Sequence, residues 1–168
     1  MFAAIRRALP WLALAVGVLW AARSASPAAH FPVGGKLPAF SAELSDGSAF
    51  TLTATPDQVL VLNFWASYCA PCQAEAPVLS AAQTSEVRVL GLSVEPTPLA
   101  QLVHQARGLG MHFPVGSAGG ALVQRFQIRA VPTTYVVARD GVIVLSRVGA
   151  ITSSELQTAL AAARRRAS

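Results

Sequence analysis

Two cysteines three positions apart are the most reactive feature of this chain. Cys69 and Cys72 are the only cysteines in 168 residues, and they lie in the stretch FWASYCAPCQAEAP. Such a pair can form a redox-active disulfide, provide half of a metal site, or consist of two small buried side chains. A structural zinc ion needs four ligands, and the chain has neither a second C-x-x-C pair nor two histidines at zinc spacing. Copper binding by the two thiols is therefore an alternative interpretation of the pair, next to the redox-active disulfide.

The position of the cysteines favours the redox function. An apolar run, QVLVLNFW, ends at about Trp65, and a helix is predicted from Ala70 to about Gln83. Unpaired N–H groups and the dipole at a helix N-terminus stabilise a thiolate and lower its pKa from about 8.5 to between roughly 3.5 and 7.5. Cys69, nearer the exposed end, is the predicted attacking sulfur. Cys72, one turn later, is predicted to resolve the mixed disulfide.

The elements around the cysteines predict an α/β fold. The run that ends at Trp65 is typical of a strand buried on both faces of a parallel sheet. VRVLGLSV, residues 87–94, is a second run of this kind. Strand, helix and strand within so short a stretch form a βαβ unit, which makes the two strands parallel neighbours.

Turn and cap signals predict the other elements. These are a hairpin around Asp46-Gly47, a helix over 98–107 with Thr97 as its N-cap, a short helix over 119–126, a strand after Val131, an antiparallel return strand after the Asp140-Gly141 turn, and a last helix opened by the capping box Thr152–Glu155. Residues 27–36 are rich in Pro, Ala and Gly and are predicted to be a linker that precedes a domain over 37–168. His30, His104 and His112 are interpreted as solvated or structural.

Residues 1–26 have the layout of a secretory signal peptide or an N-terminal membrane anchor. Arg6 and Arg7 precede an apolar run from Ala8 to Ala22. Fifteen residues are few for a full membrane span, which needs about 20, and the small residues around Ser26 make an imperfect cleavage site. With either outcome we expect the rest of the chain to be exported to a compartment where disulfides persist.

The excess of basic residues is confined to the two ends of the chain. The formal net charge is +5, but Arg6, Arg7 and Arg23 flank the apolar run and Arg164–Arg166 end the last helix. Removing these six leaves seven basic residues against eight acidic ones, so the body of the protein is nearly neutral. The charge distribution therefore gives no support to a nucleic-acid partner.

The segment NFWASYCAPCQAEAP resembles the active-site segment of the thioredoxin superfamily. Its details are most similar to the TlpA/ResA/CcmG-like thiol-disulfide oxidoreductases of the bacterial envelope, which carry a redoxin-type domain. The resemblance covers roughly residues 36–163 and includes VPTT at 131–134, Asp140-Gly141 and Gly149. It implies a thioredoxin-like fold, in which helices flank a central mixed β-sheet, with an N-terminal β-hairpin extension.

The resemblance also implies roles for residues around the cysteines. Pro132 matches the family's cis-proline, which lies against the disulfide and leaves the backbone of Val131 free to pair with a substrate. Glu75 matches an acidic residue that relays protons near the thiols, although a solvated glutamate is the alternative interpretation. Asn63 stands where cytosolic thioredoxins usually carry a buried aspartate, and this departure transfers any proton-relay role toward Glu75.

Three further residues bear on specificity and on the direction of electron flow. Trp65 ends the N-F-W strand of the family, and Tyr68 replaces the tryptophan that commonly precedes the first cysteine. Pro71 completes an Ala-Pro dipeptide that resembles those of reducing members and lacks the histidine of strong oxidants. This favours a reductase. Because the same fold spans about −270 to −120 mV, a disulfide-forming oxidase is the alternative.

The resemblance implies partners and a location as well. The expected substrates are exported proteins with disulfides, such as apocytochrome c or a copper-site protein, and a membrane electron donor of the DsbD/CcdA type would return the electrons. The location would be periplasmic or otherwise extracytoplasmic, and no cofactor is expected besides the Cys69–Cys72 disulfide. A peroxiredoxin would need a P-x-x-x-T/S-x-x-C pattern, which is absent ahead of Cys69. A non-enzymatic copper-binding envelope protein is the remaining alternative.

Overall fold

The computed structural model describes residues 29, 31–53 and 55–166. The predicted signal peptide or anchor over residues 1–26 lies outside the described residues, and so does His30. Within the described ranges, none of the helices combines the length and the apolar composition that crossing a membrane requires.

Every element predicted from the sequence is present in the structure. The elements are β1 Phe40–Glu43, β2 Ala49–Leu52, β3 Val59–Trp65, α1 Ala70–Ala82, β4 Val87–Ser93, α2 Leu99–Gly108, β5 Val115–Ser117, α3 Gly119–Arg125, β6 Thr133–Val137, β7 Ile143–Val148 and α4 Ser153–Arg165. The predicted capping box is also present, because the Thr152 hydroxyl accepts a hydrogen bond from the N–H of Glu155 and the Glu155 carboxylate accepts one from the N–H of Thr152.

The central sheet has five strands in the order β5-β4-β3-β6-β7. β3 and β4 are parallel, as the βαβ unit predicts, and pair from Val59 opposite Val87 to Trp65 opposite Ser93. β6 is antiparallel to β3, and β7 is antiparallel to β6. The sheet is therefore mixed, which confirms the predicted thioredoxin-like architecture.

Two apolar layers bury the sheet on its two faces. All seven residues of β3 are buried, and alternate side chains point to opposite faces. Val59 and Val61 belong to the layer under α1, α2 and α4, whereas Leu60 and Leu62 belong to the layer under the β1–β2 hairpin and Phe126. Each such side chain stabilises the fold by about 1.5–3 kcal/mol when fully buried. The central strand is thus held firmly where it leads to the cysteines.

Two local features differ from the sequence predictions. β5 was not predicted, because its three residues are too few for a periodic signal, and it forms by pairing with β4 and through the bridge from Leu44 to Gly116. The N-cap of α2 is Pro98 in an extended conformation rather than Thr97, and no side chain caps this helix. The Thr97 N–H instead donates to the carbonyl of Glu95.

The described part of the predicted linker is attached to the domain. The N–H of Gly34 donates to the carbonyl of Ile143 at 2.9 Å, and the N–H of Ile143 donates to the carbonyl of Gly35 at 2.9 Å. The ring of Phe31 packs edge-on against Phe126, with 5.6 Å between ring centroids. This lead-in, residues 31–36, therefore covers the outer edge of β7.

Candidate active site

Four elements meet at one edge of the sheet, beside the cysteines. The carboxyl ends of parallel β3 and β4 lie at the same edge, and α1 begins there after a four-residue loop, 66–69. β6 starts at this edge because it runs antiparallel to β3, with Thr133 opposite Phe64. Pro132 directly precedes β6 and therefore lies at the same edge. Residues far apart in sequence are thus collected around the start of α1.

Cys69 and Cys72 form a disulfide at the N-terminus of α1, with sulfurs 2.10 Å and Cα atoms 5.2 Å apart. Cys69 is the N-cap of the helix, and its sulfur accepts a hydrogen bond from the N–H of Cys72 at 3.2 Å. Pro71 lies in the first turn, where an N–H has no partner within the helix, so its missing N–H costs nothing. Cys69 keeps 6% of its surface exposed and Cys72 keeps 0%. An attacking molecule therefore reaches Cys69 first.

The segment that carries the disulfide is largely exposed and has no charged side chain. Tyr68 is 75% exposed, and Ala70 and Pro71 are exposed as well. Residues 67–74 include no charged side chain. This surface offers apolar contact to a bound chain without stripping water from an ion.

The Val131–Pro132 peptide bond is cis. The carbonyl of Pro132 accepts a hydrogen bond from the N–H of Gly149 at 2.8 Å, which ties this loop to the one before α4. Val131 packs against the apolar layer that contains both cysteines. Its own N–H and carbonyl make no hydrogen bond with the residues that the structure describes. These two backbone groups are therefore available to an extended chain.

Glu75 is buried one turn after Cys72, so the interpretation as a solvated glutamate is wrong. It is 1% exposed and lies on the same face of α1 as Cys72. One carboxylate oxygen accepts from Asn63 Nδ2 at 2.7 Å, and the other accepts from the N–H of Ile151 at 2.9 Å. The carboxyl group thus links α1 to β3 and to the segment before α4.

The pKa of Glu75 is raised to about 7, because burial disfavours its charged form. The hydrogen bonds from Ile151 and Asn63 favour the carboxylate and offset part of this effect. A carboxyl group with such a pKa exchanges its proton near neutral pH, as a general acid or base requires.

Asn63 and Trp65 are both fully buried on β3. Asn63 Nδ2 donates to Thr134 Oγ1 at 2.9 Å as well as to Glu75, so the amide joins β3, β6 and α1. Asn63 Oδ1 and the indole N–H of Trp65 have no hydrogen-bond partner among the described residues. The uncharged amide of Asn63 thus holds Glu75 and Thr134 in place, at the position where the sequence comparison expected cytosolic thioredoxins to carry a buried aspartate.

Ser67 and Glu95 are site residues that the sequence reasoning missed. The carboxylate of Glu95, two residues after β4, accepts hydrogen bonds from the Ser67 N–H and, at 3.0 Å, from the Ser67 hydroxyl. Ser67 lies two residues before Cys69, so Glu95 holds the loop that carries the attacking sulfur. The available signal was that the carboxyl ends of β3 and β4 meet at one edge, which brings residue 95 beside the loop after residue 65.

Histidines do not join the cysteines in the part of the chain that the structure describes. His104 and His112 are exposed, as interpreted from the sequence. Within the described residues, no three of His, Cys, Asp and Glu lie close enough together to hold a metal ion. A copper site would therefore depend on the two thiols themselves.

Comparison with models of known protein families shows which family this chain belongs to. The family model described as Redoxin matches residues 32–160, which is more than half of the chain. The chain belongs to the Redoxin family. The thiol-disulfide oxidoreductase ResA of Bacillus thuringiensis (strain Al Hakam) is similar to it, with 25% identity over 132 residues, covering 74% of this chain and 75% of ResA.

Solved structures support the same fold for this Redoxin-family chain. A thiol:disulfide interchange protein of the thioredoxin family from Chlorobium tepidum TLS has a TM-score of 0.65 at 21% identity, covering 83% of this chain and 99% of the other. A secreted disulfide oxidoreductase of Mycobacterium tuberculosis, homologous to DsbE of E. coli, has a TM-score of 0.61 at 25% identity, covering 73% of this chain and 95% of the other. The protein is thus a thioredoxin-fold thiol-disulfide oxidoreductase that carries the Cys69–Cys72 pair.

Proposed function

We propose that this protein reduces disulfides in exported proteins of the bacterial cell envelope. The observation that carries the proposal is the position of Cys69 as N-cap of α1, partly exposed, with a fully buried Cys72 one turn behind it. On reduction, the N-terminal N–H groups and the helix dipole stabilise a thiolate at Cys69. The Ala70-Pro71 dipeptide, without the histidine of strong oxidants, supports the reducing direction.

The reaction proceeds in two exchanges. The Cys69 thiolate attacks one sulfur of the substrate disulfide, so that a Cys69–substrate disulfide forms and the other substrate sulfur leaves as a thiolate. Cys72 then loses its proton and attacks the Cys69 sulfur, which forms the Cys69–Cys72 disulfide and releases the second substrate thiol. Two electrons have passed to the substrate, and its two sulfurs end as thiols.

Glu75 assists the second exchange. It lies on the same buried face as Cys72, and a pKa of about 7 allows it to accept the proton that Cys72 must lose. Asn63 and the N–H of Ile151 hold the carboxyl group in place. Burying the neutral carboxylic acid at this position costs less free energy than burying a permanently charged group would.

Val131 and Pro132 hold the substrate chain beside Cys69. The unpaired N–H and carbonyl of Val131 fit an extended substrate segment, which would pair with them as a short added strand. Exposed Tyr68 and Pro71 provide apolar contact on the other side of the sulfur. Trp65 is fully buried in the same apolar layer as Cys69 and supports the loop 66–69 that carries this cysteine.

The location and the electron source complete the proposal. The basic and apolar layout of residues 1–26 supports export, and the similar disulfide oxidoreductase of Mycobacterium tuberculosis is secreted. An envelope reductase needs a continuing supply of electrons. A membrane thiol donor of the DsbD/CcdA type would return two electrons to Cys69–Cys72 by the same exchange chemistry.

Insulin reduction by dithiothreitol tests the roles of the two sulfurs. Cys69→Ala should abolish the catalysed rate, because no attacking thiolate remains. Cys72→Ala, reduced and then freed of dithiothreitol before insulin is added, should instead accumulate a mixed disulfide between Cys69 and insulin, detectable by mass, because no thiol at position 72 resolves it. Full activity of the Cys69→Ala variant would contradict the proposal.

The reduction potential tests the direction of electron flow. We expect the Cys69–Cys72 couple, equilibrated with glutathione buffers, to lie below about −200 mV, the range of reducing members of the fold. A value above about −150 mV would make the protein an oxidant and overturn the proposed direction, while leaving the exchange chemistry intact.

A further inference from the structure

The buried amide of Asn63 makes hydrogen bonds at one end only. Its nitrogen Nδ2 donates to Glu75 Oε1 at 2.7 Å and to Thr134 Oγ1 at 2.9 Å, so both amide protons are used. Its oxygen Oδ1 is buried as well and has no hydrogen-bond partner among the described residues. Leaving a buried acceptor without a partner costs free energy, so the retention of this amide requires an explanation.

The two partners of the amide can change from acceptors to donors. Thr134 carries a hydroxyl group, which donates as readily as it accepts. Glu75 accepts hydrogen bonds as a carboxylate, but it gains an O–H donor when it takes up a proton. Neither Asn63 Nδ2 nor the N–H of Ile151, which holds the other carboxyl oxygen, accepts a bond from that O–H. In the orientation of the amide that the structure shows, these two partners therefore serve only the ionised form of Glu75.

A half-turn of the Asn63 amide about its Cβ–Cγ bond supplies the missing acceptor. This torsion has a broad, roughly two-fold preference, so the turn exchanges Oδ1 and Nδ2 and leaves the other heavy atoms in place. Oδ1 then accepts from Glu75 and Thr134, across the present separations of 2.7 and 2.9 Å, which also suit O–H···O bonds. Each orientation leaves one end of the amide without a partner, so the proton of Glu75 decides between them.

We propose that Asn63 is a positioning residue whose amide turns with the proton of Glu75. When Glu75 is ionised, Nδ2 donates to it, and when Glu75 is protonated, Oδ1 accepts from it. Glu75 can then take the proton that Cys72 loses, and return it when Cys72 is reduced again, without losing this hydrogen bond. The inference rests on the proposed proton transfer at Glu75 and deepens it. A side chain with a donor at one end and an acceptor at the other is required, which is what an amide provides.

The charged groups on the elements packed against Glu75 do not compete with this control. Arg147 in β7 pairs with Thr134 in the register of the sheet, but its half-exposed guanidinium bonds the Glu155 carboxylate at 3.4 Å. β3, β6 and α1 carry no charged side chain besides Glu75. The raised pKa of Glu75 comes from burial, offset by its two hydrogen bonds, and no charged neighbour among the described residues contributes to it. The two thiols are the remaining titratable groups nearby, and in the oxidised protein the disulfide removes them.

Nuclear magnetic resonance of the oxidised protein tests the turn directly. Asn63 is the only asparagine in the chain, so asparagine labelled with ¹⁵N gives a single side-chain amide signal. The measurement follows this signal, and the Overhauser contacts of its two protons, from about pH 5 to about 9, on both sides of the Glu75 pKa of about 7. The wild-type chain is used, so the result does not depend on whether a variant folds.

At high pH we expect both amide protons to contact the side chain of Thr134. These contacts should be lost at low pH, with a midpoint near the pKa of Glu75, because the oxygen then occupies their place. Contacts that persist across the whole range would make Asn63 a fixed donor and overturn the proposal. A signal that does not change with pH would also overturn it.

Two matched variants identify the group that drives the change. Glu75→Gln should abolish the pH dependence of the Asn63 signal, because the titrating carboxyl group is gone. Glu86→Gln removes an exposed carboxyl group and should leave the pH dependence as it is. A wild-type transition in Glu75→Gln would show that another group turns the amide, and the proposal would fail.

Asn63→Leu gives a kinetic readout that separates positioning from a structural role. The reduced variant should react with iodoacetamide at Cys69 as fast as the wild type. It should resolve the mixed disulfide with insulin roughly tenfold more slowly at neutral pH, because Glu75 has lost the partner that serves both of its charge states. Equal slowing of both steps, or an unchanged resolution rate, would overturn the proposal. Normal insulin reduction by a wild-type protein whose amide stays fixed would remove this inference alone and leave the proposed function standing.

Discussion

At the scale of single residues, the site depends on two carboxyl groups with opposite surroundings. Glu75 is 1% exposed, receives its hydrogen bonds from Asn63 and Ile151, and has a pKa raised to about 7. Glu95 lies nearer the surface and fastens Ser67 beside the attacking sulfur. One group exchanges a proton near neutral pH, and the other positions the loop.

Glu75 should make the folded protein less stable as pH rises. The folded state holds the Glu75 proton up to a pKa of about 7, whereas the unfolded chain releases it near 4.5, so the folded state binds more protons between these values. The free energy of unfolding should fall across that window by ~3 kcal/mol and then level off. Urea unfolding of the oxidised protein from about pH 5 to 8 measures this slope.

The matched variants are Glu75→Gln and Glu86→Gln. Both remove one carboxyl group, but Glu86 is exposed and its change should leave the slope as it is. Glu75→Gln should flatten the slope between pH 4.5 and 7 because the titrating group is gone. A wild-type slope in Glu75→Gln would show that another group is responsible.

Glu95→Ala should weaken the loop before Cys69. Ser67 would lose both of its acceptors, and the unpaired, part-buried N–H costs about 1–3 kcal/mol. We expect a lower free energy of unfolding and a slower insulin reduction. Glu95→Gln, which keeps an acceptor oxygen, should retain most of both, and Glu43→Ala on the exposed side of β1 should change neither. Wild-type stability and rate in Glu95→Ala would remove the positioning role.

At the scale of elements, the β1–β2 hairpin docks on the edge of the sheet through a close approach of backbones. Gly116 in β5 is bridged to Leu44, and a Cβ at position 116 would lie 2.5 Å from the carbonyl oxygen of Glu43. This contact is with backbone, so a rotamer change cannot relieve it. A glycine is therefore required for the hairpin to cover the apolar layer beneath it.

Gly116→Ala should destabilise the protein by about 1–3 kcal/mol, because the hairpin must move to admit the methyl group. Gly120→Ala is the matched control, since its added Cβ meets nothing within 4 Å in helix α3. That control should be neutral or more stable by up to about 1 kcal/mol, as expected for alanine in place of a helical glycine. Urea unfolding of the two variants compares them directly, and equal stabilities would refute the close packing of the hairpin.

At the scale of the whole molecule, the lead-in makes the N-terminal side of the chain part of the domain. Phe31 enters an aromatic group with Phe126 and Tyr135 on the hairpin side of the sheet. Its carbonyl is fixed by Ser146, more than a hundred residues away in sequence. The place at which any preceding segment is joined to the domain is thereby set.

Phe31→Ala should lower the free energy of unfolding by about 2 kcal/mol, which is less than a fully buried phenylalanine contributes, because Phe31 is only half-buried. Insulin reduction should be unchanged, since the aromatic group belongs to the apolar layer on the opposite face of the sheet from the cysteines. Val33→Ala removes a side chain that is 61% exposed and should leave both quantities as they are. Thermal unfolding and the insulin assay provide the two readouts, and equal stability of the two variants would contradict the docking.

Local signals in the sequence determined the elements of this protein and the position of its cysteines. The apolar run of β3, the cap of α4 and the turn at Asp46-Gly47 each depend on neighbouring residues, so they could be predicted without knowing the rest of the fold. The C-A-P-C pair at the start of α1 belongs to the same class. Its disulfide needs only two residues on one helical turn.

Contacts between distant parts of the chain decided the rest. Glu75 becomes a buried acid only because Asn63 and Ile151 are brought to it from 12 and 76 positions away, and sequence alone left a solvated glutamate as the alternative interpretation. Glu95 meets Ser67 only because two parallel strands end at one edge. β5 is too short to have a pattern of its own, and it exists because β4 offers an unpaired edge. Burial, charge state and loop position are properties of these long-range contacts, so only the tertiary structure decides them.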